Sequence, residues 1–483
     1  MSREQLRGDA IRILQGGLAA VDPVRLVAGA LVDDPELADW VPSMALESRA
    51  SESFRSGARP SAGRTVLVAV GKAALTMTRG ALQVLGDAID TGVVLVPHPT
   101  VSEGSAPGMQ TVGEPGGVRS VRPPWLPARI LLRSGGHPVP DESGRRAAAE
   151  ISELAGSLGA EDRLLALISG GGSALLTLPR PGLPLAALGE TTSVLLEAGL
   201  PIQELNQVRT HLEELKGGGL ARRAQGARIL GLVLSDVVGD DPGVVASGPL
   251  SPRERSGRQV EILLRRRGIW NRLPGQARDL IRSADQGEQL VASDPVTAPE
   301  PVVRIVGGGA TALEGARLVA RRLGYHTHVL TTELSGEARR AGRGLAQVGL
   351  AVRSGLAEPH PPACVLAAGE TTVTVKGQGR GGRNQEVALG AAGILDGEAD
   401  VLVASLGTDG VDGPTDAAGA VADGRTVARA AASGFEVASA LEENDAYPLL
   451  DALGDLIRTG PTGTNVADLM LVLVSDGYTH HSD

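Results

Sequence analysis

The feature that most constrains this chain is a pattern met five times along it. A continuous apolar run gives way to a glycine-rich turn, usually followed by helical periodicity. TVLVAVGKAALTMTRGALQVL (65–85) has this form, as do RLLALISGGGSALL (163–176) and ARILGLVLSDVVGDD (227–241). VVRIVGGGATALEGARLVARRL (302–323) and ADVLVASLGTDGVDG (399–413) show it again. Runs of Val, Leu and Ile without alternation predict parallel strands covered on both faces, with helices between them. No fixed repeat period accompanies the pattern, so a solenoid is not indicated. In α/β sheets of this kind ligands bind beyond the carboxyl ends of the strands, where these glycine loops fall.

At 483 residues the chain exceeds one ordinary core, and two α/β domains with a cleft between them are expected. The best boundary is SDPVTAPEP (293–301), with Pro295, Pro299 and Pro301, dividing 1–294 from 302–475. The arginine-rich stretch 253–284 predicts a solvated helical surface. The proline-rich segment 97–128 predicts a long surface loop or lid.

Composition narrows the function. A hydrophobic content of 42% is that of a soluble globular protein. The opening residues, MSREQLRGDAIRILQ, are charged and amphipathic, unlike a signal peptide. No run approaches the ~18–20 apolar residues of a membrane span. The lone Cys364 excludes an intrachain disulfide and any multi-cysteine metal site. A net charge of −10 and only eight aromatic residues argue against nucleic acid, which needs a basic field or stacking platforms. The expectation is a cytoplasmic enzyme. Its assembly is left open, a homodimer included.

Of the 46 basic residues, only Lys72, Lys216 and Lys376 are lysine, and each lies beside glycine. The arginine bias fits a GC-rich genome. A compact ammonium, in contrast, suits a crowded phosphate site better than a planar guanidinium does. ISGGGSALL ends a strand in Gly170, Gly171, Gly172 and Ser173, where freed backbone amides can hold an anion or simply make a tight turn. In LNQVRTHLEELKGGGLARR (205–223), Asn206, Arg209 and Lys216 fall on a predicted helix ending at the glycines. They read either as binding groups on a shared face or as surface. Asp236, Asp240 and Asp241, after the strand in LSDVVGDDPG, could hold a metal, orient a hydroxyl or cap a turn.

GETTVTVKGQGRGGRNQEVALG (369–390) contains a GxGxxG, yet the Thr/Val alternation before it is that of a half-exposed strand. Arg383 then opens a helix with Asn384 and Gln385. A cation there is unfavourable against the helix dipole unless an anion is bound, which favours phosphate or carboxylate over NAD. LGTDGVDGPTDAAGA (406–420) sets Asp409, Asp412 and Asp416 among four glycines. Magnesium, a phosphorylated ligand or both would relieve their repulsion; in a solvated turn each Asp would bond its own backbone instead. No GxxxxGK[ST] is present, since Gly71-Lys72 is followed by Ala73, and HRD and DFG are absent. A phosphoryl transferase built on this chain belongs to another class.

Together these motifs resemble the MOFRL-family glycerate kinases, the class II glycerate 2-kinases, over about residues 10–475. The carriers are VGKAA, GGHPVPDE, LISGGGSALL, LNQVRTHLEELKGGGLA, LSDVVGDDPGVVASGP, GGRNQEVAL, GTDGVDGPTDAAGAV and TGPTGTNVADL. The resemblance implies an α/β fold with an N-terminal Rossmann-like domain, a C-terminal MOFRL domain and an active site in the cleft. It implies ATP- and Mg²⁺-dependent phosphorylation of D-glycerate at the 2-hydroxyl. Carried over by position, Lys72 matches the lysine of the GK motif and Asp236 the aspartate of SDV. Arg383 matches the arginine of GGRNQE, and Asp409 the first aspartate of the TDG loop; these four are the expected catalytic residues. The expected substrate- or phosphate-binding set is Gly71, Gly170, Gly171, Gly172, Ser173, Asn206, Arg209, Lys216, Asn384 and Gln385. Asp409 and Asp412 are the expected metal ligands. Glu213, Val238 and Leu250 depart from the family pattern. An NAD(P)H-dependent hydroxypyruvate reductase, supported only by the GxGxxG, and a non-catalytic binder of sugar acids are the rivals.

Overall fold

The computed structural model describes residues 1–41, 63–98, 110–113, 119–224, 226–252, 256–287 and 300–477. It divides into two compact units. One, Pro23–Ser235 with Asp241–Val306, carries β1 (Thr65–Val70), β2 (Thr91–Pro97), β3 (Gln110–Gly113), β4 (Arg119–Arg122), β5 (Ile130–Gly135), β6 (Arg163–Ser169), β7 (Arg228–Leu234) and β8 (Val302–Gly307). Six of these form one sheet in the order β5-β2-β1-β6-β7-β8. From β5 through β7 every pairing is parallel, as the unbroken apolar runs predict. β6 is buried along its whole length, and β1 over all but its first residue. From β1 the chain runs outward to β2 and β5, then returns to place β6 on the opposite side of β1. The strand order therefore reverses between β1 and β6. That reversal opens a crevice at the carboxyl ends of these two strands.

A helical layer, Leu185–Glu197, Ile202–Leu212, Gly257–Arg266 and Gly275–Gly287, closes over its own apolar cluster around Leu195, Leu212, Leu264 and Trp270. Of the stretch 253–284, residues 253–255 lie outside the described residues; the described arginines lie mostly on the outside of this layer, as expected, with Arg265 and Arg282 stacked over Trp270. The segment 97–128 is not wholly loop. β3 and β4 pair as an antiparallel hairpin, while 99–109 and 114–118 lie outside the described residues.

The second unit, Met1–Asp22, Asp236–Asp240 and Gly307–Asp483, carries β9 (His326–Leu334), β10 (Ala363–Gly369), β11 (Val401–Gly407), β12 (Gly419–Asp423), β13 (Leu456–Ile457) and β14 (Asp468–Val474). Their order is β13-β12-β11-β14-β10-β9. Only β9 and β10 are parallel; β14 runs antiparallel to both β10 and β11, and β12 antiparallel to β11. The expectation of a parallel β11 fails, although the strand is fully buried. Burial reports cover on both faces, not the direction of the neighbouring strands.

The compact units also depart from a division at 294/302. β8 completes the first sheet, and the helix Arg3–Ala20 packs on Gly309–Arg322 in the second unit. Arg3 and Arg7 bind Asp423 and Asp455 there, and the Thr464 hydroxyl donates to the Val21 carbonyl at 2.8 Å. Most of the 293–301 linker lies outside the described residues.

Candidate active site

In the parallel unit the candidate residues gather where the strand order reverses. Val70 leads into Gly71, whose φ of +123° is open to glycine alone. A Cβ at Gly71 would also lie 2.2 Å from the Ser169 hydroxyl oxygen. This lets the two turns after β1 and β6 interlock: Lys72 N–H donates to the Gly170 carbonyl at 2.9 Å, and Ala73 N–H to the Ser169 hydroxyl at 3.0 Å. Lys72 is half-buried, its stem 3.3 Å from where a Cβ on Gly171 would stand. The exposed imidazole of His137, from the GGHPVPDE loop after β5, comes within 3.2 Å of the same point. Gly71, Lys72, Gly170 and Gly171 thus form one rim. His137 was not on the candidate list, although its motif was.

Ser173, next in this turn, is gripped from behind. Its carbonyl accepts from Arg209 Nη2 at 2.8 Å and from Lys216 Nζ at 2.7 Å. Both cations also bind the fully buried Glu213, Lys216 with 2.5 Å contacts to each carboxylate oxygen. Burial and the charge on Arg209 draw the Lys216 ammonium down to about 7, against the pull of Glu213. Lys216 is not on the helix, which ends at Leu212. It still reaches the same carbonyl as Arg209, so the two lysine–arginine candidates converge on the turn and not on a shared outer face. Glu213, a departure from the family pattern, is the anion that lets two cations pack there.

In the mixed unit the antiparallel β14 places Asp468 between the ends of β10 and β11, in register with Gly369 and Gly407. Arg383 forks onto Asp468, with Nε at 2.5 Å and Nη2 at 3.0 Å, and its Nη1 reaches Glu370 at 2.6 Å. The anion demanded by a cation in the first helical turn is present, and the chain supplies it. Burial works against the Arg383 charge, but Asp468 and Glu370 outweigh it and hold the guanidinium more firmly protonated than a free arginine. Burial pushes the Asp468 carboxyl up to about 6, opposed by Arg383.

The three loop aspartates have separate fates. Asp412 is buried, and its oxygens accept from Asn384 N–H at 3.0 Å, Gln385 N–H at 2.8 Å and the side-chain amides of both residues. It caps the helix Arg383–Leu395; burial raises its pKa, and these hydrogen bonds oppose the rise. Asn384 and Gln385 are accordingly buried and turned toward Asp412. Asp416 takes the Tyr447 hydroxyl at 2.6 Å and Arg458 at 3.2 Å. Asp409 is half-buried, with Oδ1 accepting from Val411 N–H at 3.1 Å. Asp236 groups with this unit and accepts from Asn465 Nδ2 at 3.0 Å, in the TGTNVADL segment. Lys376 is exposed. Asp468, Glu370 and Asn465 were not singled out from sequence, although all three lie inside quoted motifs.

The GxGxxG glycines have an internal explanation. A Cβ at Gly377 would lie 2.2 Å from the Glu443 carbonyl oxygen, at Gly379 2.4 Å from Asp445 Cβ, and at Gly382 2.4 Å from Asp412 Cγ. They are spaces for the chain itself, and the helix N-terminus that would receive a pyrophosphate already holds the Asp412 carboxylate.

Two family models match the chain: a domain of unknown function (DUF4147) over residues 9–282, and the MOFRL family over residues 363–468. The chain is 38% identical to a D-glycerate 2-kinase of Thermotoga maritima over 411 residues, 85% of this chain and 91% of that one. It is 32% identical to a glycerate 2-kinase of Pyrococcus horikoshii over 474 residues, 97% and 98% of the two chains. A crystal structure of a glycerate kinase from Thermotoga maritima superposes with a TM-score of 0.78 at 35% identity, covering 98% of this chain and all of that one.

Proposed function

The chain belongs to the MOFRL-family glycerate kinases, and from that membership we propose that it transfers the γ-phosphoryl group of ATP to the 2-hydroxyl of D-glycerate. The products are 2-phosphoglycerate and ADP. The observation that carries the reading is the Lys72 rim, a lysine set between two interlocked glycine turns at the switch point of a parallel sheet. Phosphoryl transfer is mainly positioning and charge neutralisation. Lys72 supplies fixed positive charge for it, whereas the charge of Arg383 is taken up by Asp468 and Glu370. The substrate hydroxyl forms the new O–P bond and gives its proton to a carboxylate; the bond to the β-phosphate breaks and ADP leaves. Asp236 and Asp409 are the carboxylates for that proton or for orienting the hydroxyl.

Magnesium bound with the nucleotide would neutralise phosphate charge. Asp412 does not fit as its ligand, because helix amides and side-chain amides occupy both carboxylate oxygens. The half-buried Asp409 fits. Among the described residues no three His, Cys, Asp or Glu side chains converge as a metal cage. One carboxylate with nucleotide phosphates is an ordinary magnesium arrangement.

We place this reaction in the cytoplasm, with glycerate and ATP as partners and neither nucleic acid nor membrane. No helix among the described residues is long and apolar enough to cross a membrane. The test is incubation with ATP, Mg²⁺ and D-glycerate, with ³¹P NMR identifying the isomer. Appearance of 2-phosphoglycerate supports the reading, and 3-phosphoglycerate corrects its regiochemistry. NADH oxidation by hydroxypyruvate with no ATP-dependent product would replace it with the reductase.

A further inference from the structure

Arg209, Glu213 and Lys216 bring three charges into a part of the parallel unit that is otherwise packed with apolar side chains. Glu213 and Lys216 are fully buried and Arg209 is 8% exposed, and the neighbouring Leu212 and Leu215 are fully buried too. Burying ions is a poor route to stability, because apolar side chains of similar volume often serve equally well or better. The local backbone does not need them either. Glu214 N–H donates to the Leu178 carbonyl at 2.8 Å, Gly217 N–H to that of Ser247 at 2.9 Å and Gly218 N–H to that of Gly248 at 2.7 Å. These bonds tie the segment down without any side chain.

What the charges add is a grip on one carbonyl. Arg209 Nη2 at 2.8 Å and Lys216 Nζ at 2.7 Å fill both acceptor positions of the Ser173 oxygen. Two cations beside one oxygen repel each other unless an anion lies between them. Glu213 is that anion, at 3.2 Å from Arg209 and 2.5 Å from Lys216. Burial and the charge on Arg209 press on the Lys216 ammonium, and Glu213 opposes them. The other end of the same turn meets Lys72. The Gly170 carbonyl accepts from Lys72 N–H at 2.9 Å, and a Cβ on Gly171 would stand 3.3 Å from the Lys72 stem. The turn is therefore pinned by the Lys72 loop at one end and by the ion triad at the other.

We infer that Glu213 is a positioning residue of the transfer: by pairing Arg209 and Lys216 it fixes the Ser173 carbonyl, and through the Gly170–Ser173 turn it fixes Lys72. This rests on the kinase reading. A supporting shell of this kind decides whether a reacting group stands in its productive place or slightly off it.

The test uses full-length Glu213→Gln and the double variant Glu213→Gln/Lys216→Met, reading melting temperature, kcat and the KM values for glycerate and ATP. Glu213→Gln leaves two buried cations short of an anion and is expected to melt lower. The double variant removes one cation along with the anion, and is expected to regain the melting temperature. Its kcat is expected to stay roughly 10- to 100-fold below wild type with both KM values kept, the scale on which a displaced catalytic group slows a reaction. Placed in the Lys72→Arg background, the same pair of substitutions is expected to add little, because its effect is carried by Lys72. Recovery of kcat together with the melting temperature would overturn the inference, as would a loss that persists undiminished beside Lys72→Arg. A double variant that fails to regain stability would overturn it too, making the triad a support of the fold alone. Failure of the wild type to phosphorylate glycerate would instead remove the kinase reading.

Discussion

The turns after β1 and β6 and the loop after β11 all leave a buried apolar strand, and all are rich in glycine. Their chemistry diverges. After β1 and β6 the loops lie side by side because the strands are parallel, and what they present is backbone, one ammonium and one hydroxyl. Around β11 the sheet is mixed, so the start of β14 enters between two strand ends and brings Asp468 with it. Arg383 is then neutralised from within, and Asp412 is spent on a helix terminus. Strand direction thus decides whether a glycine loop at a strand end is left for a ligand or filled by the chain.

The largest expected effect separates the two regions directly. Lys72→Arg keeps the charge but replaces a compact donor with a forked one in the interlocked turn. We expect kcat to fall roughly 10²–10³-fold, the usual cost of losing a preorganised donor, with the melting temperature preserved. A mild effect would mean that the parallel unit holds its ligand through backbone alone. In the mixed unit, Asp409→Asn should depress kcat and leave the melting temperature unchanged. Asp412→Ala should instead lower the unfolding free energy by about 1–3 kcal/mol, because buried donors lose their acceptor. Denaturant titration and steady-state kinetics on the pair check this; the reverse assignment would show that Asp412 meets the ligand.

A smaller effect concerns pH. The Asp468 pKa is raised to about 6 in the fold, above the ordinary carboxylate value. The folded state therefore binds more protons than the unfolded state across that interval, and this contribution to stability is lost as pH rises through about 6. Asp468→Asn cannot titrate. Wild-type stability relative to Asp468→Asn should decline as the pH rises toward 6 and then level off, and a flat difference would place the titration elsewhere. Smallest of all, Lys376→Arg should leave kcat and both KM values within about twofold of wild type, since this lysine is exposed. A loss comparable to that at Lys72 would make the mixed unit a second lysine-dependent site.

Legibility follows the range of the physics involved. The turns after β1 and β6 could be read because an apolar run and adjacent glycines are local requirements. The dipole argument at Arg383 rightly demanded an anion, but Asp468 lies 85 residues away and looks like an ordinary strand start. The antiparallel setting of β11 left no trace, because full burial looks alike in either direction. Glu213 did show, as a departure from a pattern, but its role required seeing Arg209 and Lys216 close on it.

The helix Arg3–Ala20 has a consequence for synthesis. It leaves the ribosome ahead of the parallel unit, yet the helix it packs on, Gly309–Arg322, comes after that unit. At about 5–20 residues per second, the amphipathic opening segment waits on the order of tens of seconds for its cover. The parallel unit can close meanwhile as an insertion within a unit not yet complete. A fragment beginning at residue 302 would leave the Gly309–Arg322 helix without its cover, and adding the first 22 residues back as a separate peptide is the natural way to restore it.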